Sequence, residues 1–161
     1  ECGVAAAALG QFGGVKRRFE ILGSARGITV VDDYAHHPGE IRATIEAART
    51  MNPGRVVALF QPHLFTRTRD FMADFIDALA GADLTVVAPI YQSREDAIDG
   101  VSASDIADGL RAKGRPVAET ESVATAARHV HQQLKSNDLV VVMGAGDIWK
   151  AGTELMEILA Q

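Results

Sequence analysis

Four short apolar runs set the terms for this chain: Ile28-Thr-Val-Val31, Arg55-Val-Val-Ala-Leu-Phe60, Leu84-Thr-Val-Val-Ala88 and Leu139-Val-Val-Val-Met143. The first two break off abruptly into polar residues, the third into Pro89-Ile-Tyr91 and the fourth into Gly144-Ala-Gly-Asp147. None alternates apolar with polar, so each reads as a strand covered on both faces. The segments between them are helical in pattern, about ten to fifteen residues each, which is the spacing of βαβ units in a mostly parallel sheet. Right-handed crossovers then bring all four carboxyl ends to one rim, where open sheets of this kind bind ligands.

The remaining elements fit this frame. Phe19 to Gly23 reads as a further strand, joined through the turn Ser24-Ala-Arg-Gly27 to the first apolar run as a hairpin. Pro38 opens a helix at Glu40 to Arg49, placed where its missing N–H costs least. Asn52-Pro-Gly54 stops that helix. The helix after Phe60 carries Phe71, Phe75, Ile76 and Leu79 on one face. Val101-Ser-Ala-Ser-Asp105 is a capping-box start, with Val101 placed to staple against Ile106, for a helix ending near Gly114. A short strand follows around Pro116 to Ala118, then a helix with Val123, Ala127, Val130 and Leu134 on one stripe, and a last helix from Ile148 to Leu159. The fold expected is α/β: a Rossmann-like open sheet of about six strands, mostly parallel with one antiparallel edge strand, helices on both faces.

The predicted rim collects Asp32, Asp33, Tyr34, His36, His37, Gln61, His63, Thr66, Arg67, Tyr91 and Asp147. His129 and His131 fall instead in a polar helix and read as exposed and structural. A metal site from His36, His37 and His63 is disfavoured, because adjacent histidines diverge in a turn and no His pair has helical i, i+4 spacing. Arg67, Arg69 and His63 suit a carboxylate or a phosphate, since a guanidinium meets two oxygens at once; the same arginines also read as solvated helix-start residues. Lys16-Arg17-Arg18 is either an anion contact or a solvated charge run. Met143-Gly-Ala-Gly-Asp147 has the form of a phosphate-cradling turn, but lacks the third glycine of a dinucleotide fingerprint. Neither a P-loop nor a Gly-x-Ser-x-Gly elbow occurs.

Composition narrows the field. With 161 residues the chain is about one domain. A net charge of −5 opposes general nucleic-acid binding, which needs a basic face. The single cysteine, Cys2, permits no internal disulfide and fits a reducing compartment. No apolar run approaches the ~20 residues of a membrane helix. Glu1 to Gly10 reads as a short Ala-rich helix cut from an upstream domain, with Gly13-Gly14 as a hinge.

Four blocks in register carry a resemblance: Gly14-Val-Lys-Arg-Arg-Phe-Glu20, Asp32-Asp-Tyr-Ala-His-His-Pro38, Phe60-Gln-Pro-His63 with Thr66-Arg-Thr68, and Gly144-Ala-Gly-Asp-Ile148. Together they resemble the C-terminal domain of the Mur ligases, and most closely the branch that joins L-alanine to UDP-N-acetylmuramate. The resemblance runs over residues 13–161, with residues 1–12 resembling the tail of the family's central ATPase domain. It implies a cytoplasmic, three-domain enzyme of peptidoglycan synthesis. ATP and Mg²⁺ convert the muramoyl carboxylate to an acyl phosphate, which the amine of L-alanine attacks. The metal ligands and P-loop are expected in the central domain, and this domain closes over them, so the isolated fragment is expected to be inactive.

By motif, Arg18 resembles the arginine that reaches the ATP phosphates, and Asp33 the acid that meets the ribose. Tyr34, His36, His63 and Arg67 resemble the lining of the alanine pocket, with His36 and His63 as the catalytic pair. One departure stands out: many members read Pro-His-Arg-Tyr where this chain has Pro-His-Leu64-Phe65, so Arg67 carries more of the charge beside the substrate carboxylate. Two alternatives are a recycling ligase that attaches a tripeptide to the same sugar nucleotide, and a non-catalytic module that binds a nucleotide or amino acid.

Overall fold

The computed structural model describes residues 15–161. The expected helix at residues 1–12, Cys2 and the Gly13-Gly14 hinge lie outside the described residues. Six strands form one sheet: β1 (Glu20–Ala25), β2 (Ile28–Asp33), β3 (Arg55–Phe60), β4 (Leu84–Val87), β5 (Val117–Glu119) and β6 (Asp138–Met143), in the order β1-β2-β6-β3-β4-β5. Every neighbouring pair is parallel except β1 with β2. The helices are α1 (Pro38–Thr50), α2 (Phe65–Asp70), α3 (Met72–Leu79), α4 (Ala103–Ala112), α5 (Val123–His131) and α6 (Trp149–Leu159).

The apolar runs are continuous because alternate residues feed two separate cores. Val141 and Met143 join Phe60 and Val87 on the face covered by α1, α3 and α4, where Ile41, Phe75, Leu79, Ile106 and Leu110 are buried. Val140 and Val142 join Leu59 and Val86 on the opposite face, beneath Val130 of α5 and Leu155 of α6. A strand sandwiched this way is apolar at both parities along its middle, and its buried polar residues fall mainly at the ends, as Asp33 does in β2 and Asp138 in β6.

Boundaries shift in instructive ways. The hairpin turn is tighter than Ser24 to Gly27: Ala25 pairs with Ile28, leaving a two-residue loop of Arg26 (φ 53°) and Gly27 (φ 74°). Both positive φ values match the turn whose twist suits a hairpin. The edge strand starts at Glu20 rather than Phe19, and the short strand is Val117–Glu119 rather than 116–118. Asp105 accepts from the Ser102 N–H, closing the expected cap of α4, and Gly114 beyond its end has φ 67°. α5 stops at His131, so Leu134 lies past the helix yet still packs on the core. His129 and His131 are half-buried rather than exposed, and the His129 ring meets the Gln133 amide at 2.9 Å.

The single helix expected after β3 is two. Phe71 (φ −115°) interrupts it between α2 and α3. α3 packs into the core through Phe75 and Leu79, whereas α2 is tied at its start to a rim loop; one straight helix does not serve both.

Candidate functional site

The strand order places β6 between β2 and β3, so the chain crosses from β2 to β3 over a strand that arrives last. That reversal brings three polar turns side by side at the carboxyl ends: residues 34–37, 61–67 and 144–147. Brought together are Tyr34, His36, His63 and Arg67, with Tyr91 joining from the end of β4.

The first turn is held by its own neighbours in sequence. Asp33 is buried, and its carboxylate accepts from the Phe19 N–H and the Ala35 N–H, each at 2.8 Å. Glu40 accepts from the N–H groups of His36 (3.0 Å) and His37 (3.2 Å), closing the N-terminus of α1. Burial pushes the Glu40 carboxyl up, but those two N–H donors and the His36 ring outweigh it and leave it below the usual range. His36 Nδ1 lies 2.9 Å from the Tyr34 carbonyl and 3.4 Å from Glu40. Both are acceptors, so Nδ1 carries the proton, and in the neutral ring Nε2 is left with the lone pair.

The second turn shows the opposite tautomer. Arg67 Nη1 lies 3.5 Å from His63 Nδ1, at the long limit of a hydrogen bond. A guanidinium only donates, so Nδ1 accepts and Nε2–H is free to donate. Burial, Arg67 and His36 together hold the His63 ring below its ordinary value, against an opposing pull from Glu95. The rings form a row across the rim: Tyr34 to His36 at 5.1 Å, His36 to His63 at 6.1 Å, and His63 stacked on Tyr91 at 5.6 Å, 12° from parallel.

The cation run at the start of β1 divides. Arg17 is committed: its guanidinium donates to buried Asp32 at 3.0 Å and to the Gly144 carbonyl at 2.6 Å, while its own carbonyl accepts from the Tyr34 N–H. Burial, with the Glu20 and Asp33 charges, holds the Asp32 carboxyl above the usual range against the pull of Arg17, and its Oδ1 is buried without a hydrogen-bond partner. Arg18 is exposed, its guanidinium 5.9 Å from the Tyr34 ring centre.

The glycine turn after β6 is filled by protein. A Cβ on Gly144 (φ 150°) would lie 2.8 Å from the Gln61 carbonyl, and one on Gly146 would lie 2.6 Å from the Tyr91 ring. Buried Gln61 ties β3 to this turn, donating to Asp147 at 3.1 Å and accepting from the Ile148 N–H at 3.2 Å. These glycines admit Gln61 and Tyr91, which accounts for them without a phosphate. His37 turns away from the row and packs on Phe71 at 4.8 Å. Among the described residues no three His, Cys, Asp or Glu side chains gather to hold a metal ion.

Sequence reasoning placed Gln61 and Tyr91 on the rim but assigned them no part in the site, and it missed Glu95 there. Tyr91 is marked only by its position just past an apolar run; Gln61 also falls inside the Phe60-Gln-Pro-His63 block. Glu95 lies in a charged loop with no pattern to single it out.

Comparisons with known proteins give the class to which this open α/β domain belongs. The signature described as the Mur ligase, glutamate ligase domain, matches residues 17–146, and the chain belongs to the Mur ligase family. It is 46% identical over 152 residues to the UDP-N-acetylmuramate–L-alanine ligase of Anaeromyxobacter dehalogenans, covering 94% of this chain and 33% of that protein. The crystal structure of the alanine ligase MurC from Thermotoga maritima superposes with a TM-score of 0.77 at 30% identity, over 94% of this chain and 32% of that one. A murein peptide ligase from Psychrobacter arcticus gives 0.74 at 25% identity, over 98% and 32%. The chain thus spans about a third of the length of the curated relatives it matches.

Proposed function

We propose that this domain forms the amino-acid side of a cytoplasmic ligase that joins L-alanine to UDP-N-acetylmuramate at the expense of ATP. The observation that carries the reading is the meeting of His36, His63 and Arg67 from two strand ends, where the partners of the two rings call for opposite tautomers. Arg67 pairs with the alanine carboxylate, and His63 Nε2–H adds a second donor to it. Tyr34 walls the pocket, carrying Arg18 beside its ring.

His36 Nε2 takes a proton from the amine as the amine nitrogen attacks the acyl phosphate. The C–N bond forms, the carbonyl carbon–oxygen bond to phosphate breaks, and inorganic phosphate leaves with the bonding pair. Arg18 reaches the phosphates of ATP, and Asp33, its carboxylate fixed by two backbone donors, meets the ribose. The family resemblance puts the Mg²⁺ ligands in the central domain; among the described residues no three His, Cys, Asp or Glu side chains gather to hold a metal ion.

The test is phosphate release by the full-length protein with ATP, Mg²⁺ and UDP-N-acetylmuramate, given either L-alanine or the tripeptide. L-Alanine-dependent release is expected. Release with the tripeptide alone would move the protein to the recycling reading, which the likeness to the peptide ligase keeps in view.

A further inference from the structure

The turn that carries Arg67 is held in a shape its own residues disfavour. Leu64 has φ 73° and ψ 135°, a region that side-chain-bearing residues rarely enter. It sits between His63 and Arg67, so its backbone angle decides whether the ring and the guanidinium face each other. Such a conformation persists only where its surroundings over-determine it.

The surroundings are one loop. The Leu64 N–H donates to the Tyr91 carbonyl at 3.0 Å, and the Tyr91 N–H donates to the Pro62 carbonyl at 2.8 Å. Four residues further along, the Glu95 carboxylate closes on Thr66 with both oxygens: one accepts from the Thr66 N–H at 3.0 Å, the other from its hydroxyl. These bonds hold the Glu95 carboxyl below the ordinary glutamate range. Inside the turn, the Thr68 N–H and hydroxyl both donate to the Leu64 carbonyl.

We propose that Glu95 is a positioning residue of the amino-acid pocket: through Thr66 it holds the strained Leu64–Arg67 turn and so sets Arg67 against His63. Glu95 makes no hydrogen bond to His63 or Arg67; its charge pulls on the His63 ring, but its hydrogen-bonded hold on the turn passes through Thr66. The inference rests on the ligase reading for its kinetic consequence but not for its structural one. Two-point contact is what matters, and glutamine can supply it: its amide oxygen accepts from the Thr66 N–H while its amide nitrogen donates to the hydroxyl.

The test uses the full-length protein with Glu95→Ala, Glu95→Gln and Thr66→Val. Glu95→Ala is expected to raise the KM for L-alanine by about tenfold while kcat and the KM for ATP stay within about twofold. Thr66→Val is expected to follow it in direction, and Glu95→Gln to stay near the parent. An unchanged KM in Glu95→Ala, or a Glu95→Gln as damaged as Glu95→Ala, would overturn the proposal. In parallel, hydrogen exchange on peptides spanning residues 64–69 reads the turn itself. Faster exchange in Glu95→Ala and parent-like exchange in Glu95→Gln support positioning; equal protection in all three overturns it. If the parent shows no L-alanine-dependent turnover, the ligase reading fails and the exchange result alone decides the role of Glu95.

Discussion

The turns after β2 and β3 do similar work by different means. The first is fixed by residues close in sequence: Asp33 grips Ala35 two positions on and Phe19 across the hairpin, and Glu40 closes on His36 and His37. The second is fixed from far away, by Glu95, by Tyr91 and by Gln61 reaching over to Ile148. A locally held turn is rigid as soon as its strand and helix form. A turn held by a distant loop depends on the whole rim being assembled, and small changes elsewhere reach it.

Breaking the first turn should cost most. Asp33→Ala removes a buried carboxylate that satisfies two backbone donors, and is expected to lower unfolding free energy by about 3 kcal/mol, read from urea denaturation. Gly146→Ala tests the second turn from outside. Its new Cβ meets the Tyr91 ring, so we expect a loss of about 2 kcal/mol from overpacking and a displaced His63 resonance, with His36 left in place. A Gly146→Ala that shifts both histidines alike would erase the distinction between the turns. Glu40→Ala removes a half-exposed cap, and after allowance for solvent screening about 1 kcal/mol is expected.

The smallest effect is a pH dependence from His63. Its folded pKa lies below 6.5, so in the window between the two the unfolded chain binds more proton than the folded one. Stability therefore rises with pH through that window; its full contribution is present above 6.5 and is lost as pH falls through the folded value. His63→Gln should flatten that part of the stability–pH curve, and an unchanged slope would contradict the lowered value.

The same contrast decides what the sequence disclosed. The strands were legible because two-sided burial leaves continuous apolar runs, and the β2 turn because its partners, from Asp33 to Glu40, lie in one stretch of chain. His63 and Arg67 were legible from their place just past the second apolar run, and the motif resemblance added the alanine-pocket role. What could not be read were contacts between distant segments. Nothing in residues 92–100 announces that Glu95 grips Thr66, and nothing in the Phe71 to Leu79 stripe announces that the helix before it must break. The glycines of residues 144–147 suggested a phosphate cradle, because the sequence cannot show that Gln61 and Tyr91 already fill the space. Likewise Arg17 and Arg18 look alike in sequence; only the sheet shows that Arg17 is spent on Asp32 and Gly144.

The most direct test is the L-alanine dependence of phosphate release by the full-length protein, compared between the parent, Arg67→Ala and His36→Ala. If the pocket works as proposed, Arg67→Ala raises the KM for L-alanine by about a hundredfold with little loss of kcat, and His36→Ala lowers kcat by about a hundredfold with little change in KM. Arg67→Ala with a parental KM, or His36→Ala with a parental kcat, would contradict the assignment of substrate carboxylate and amine to these two turns.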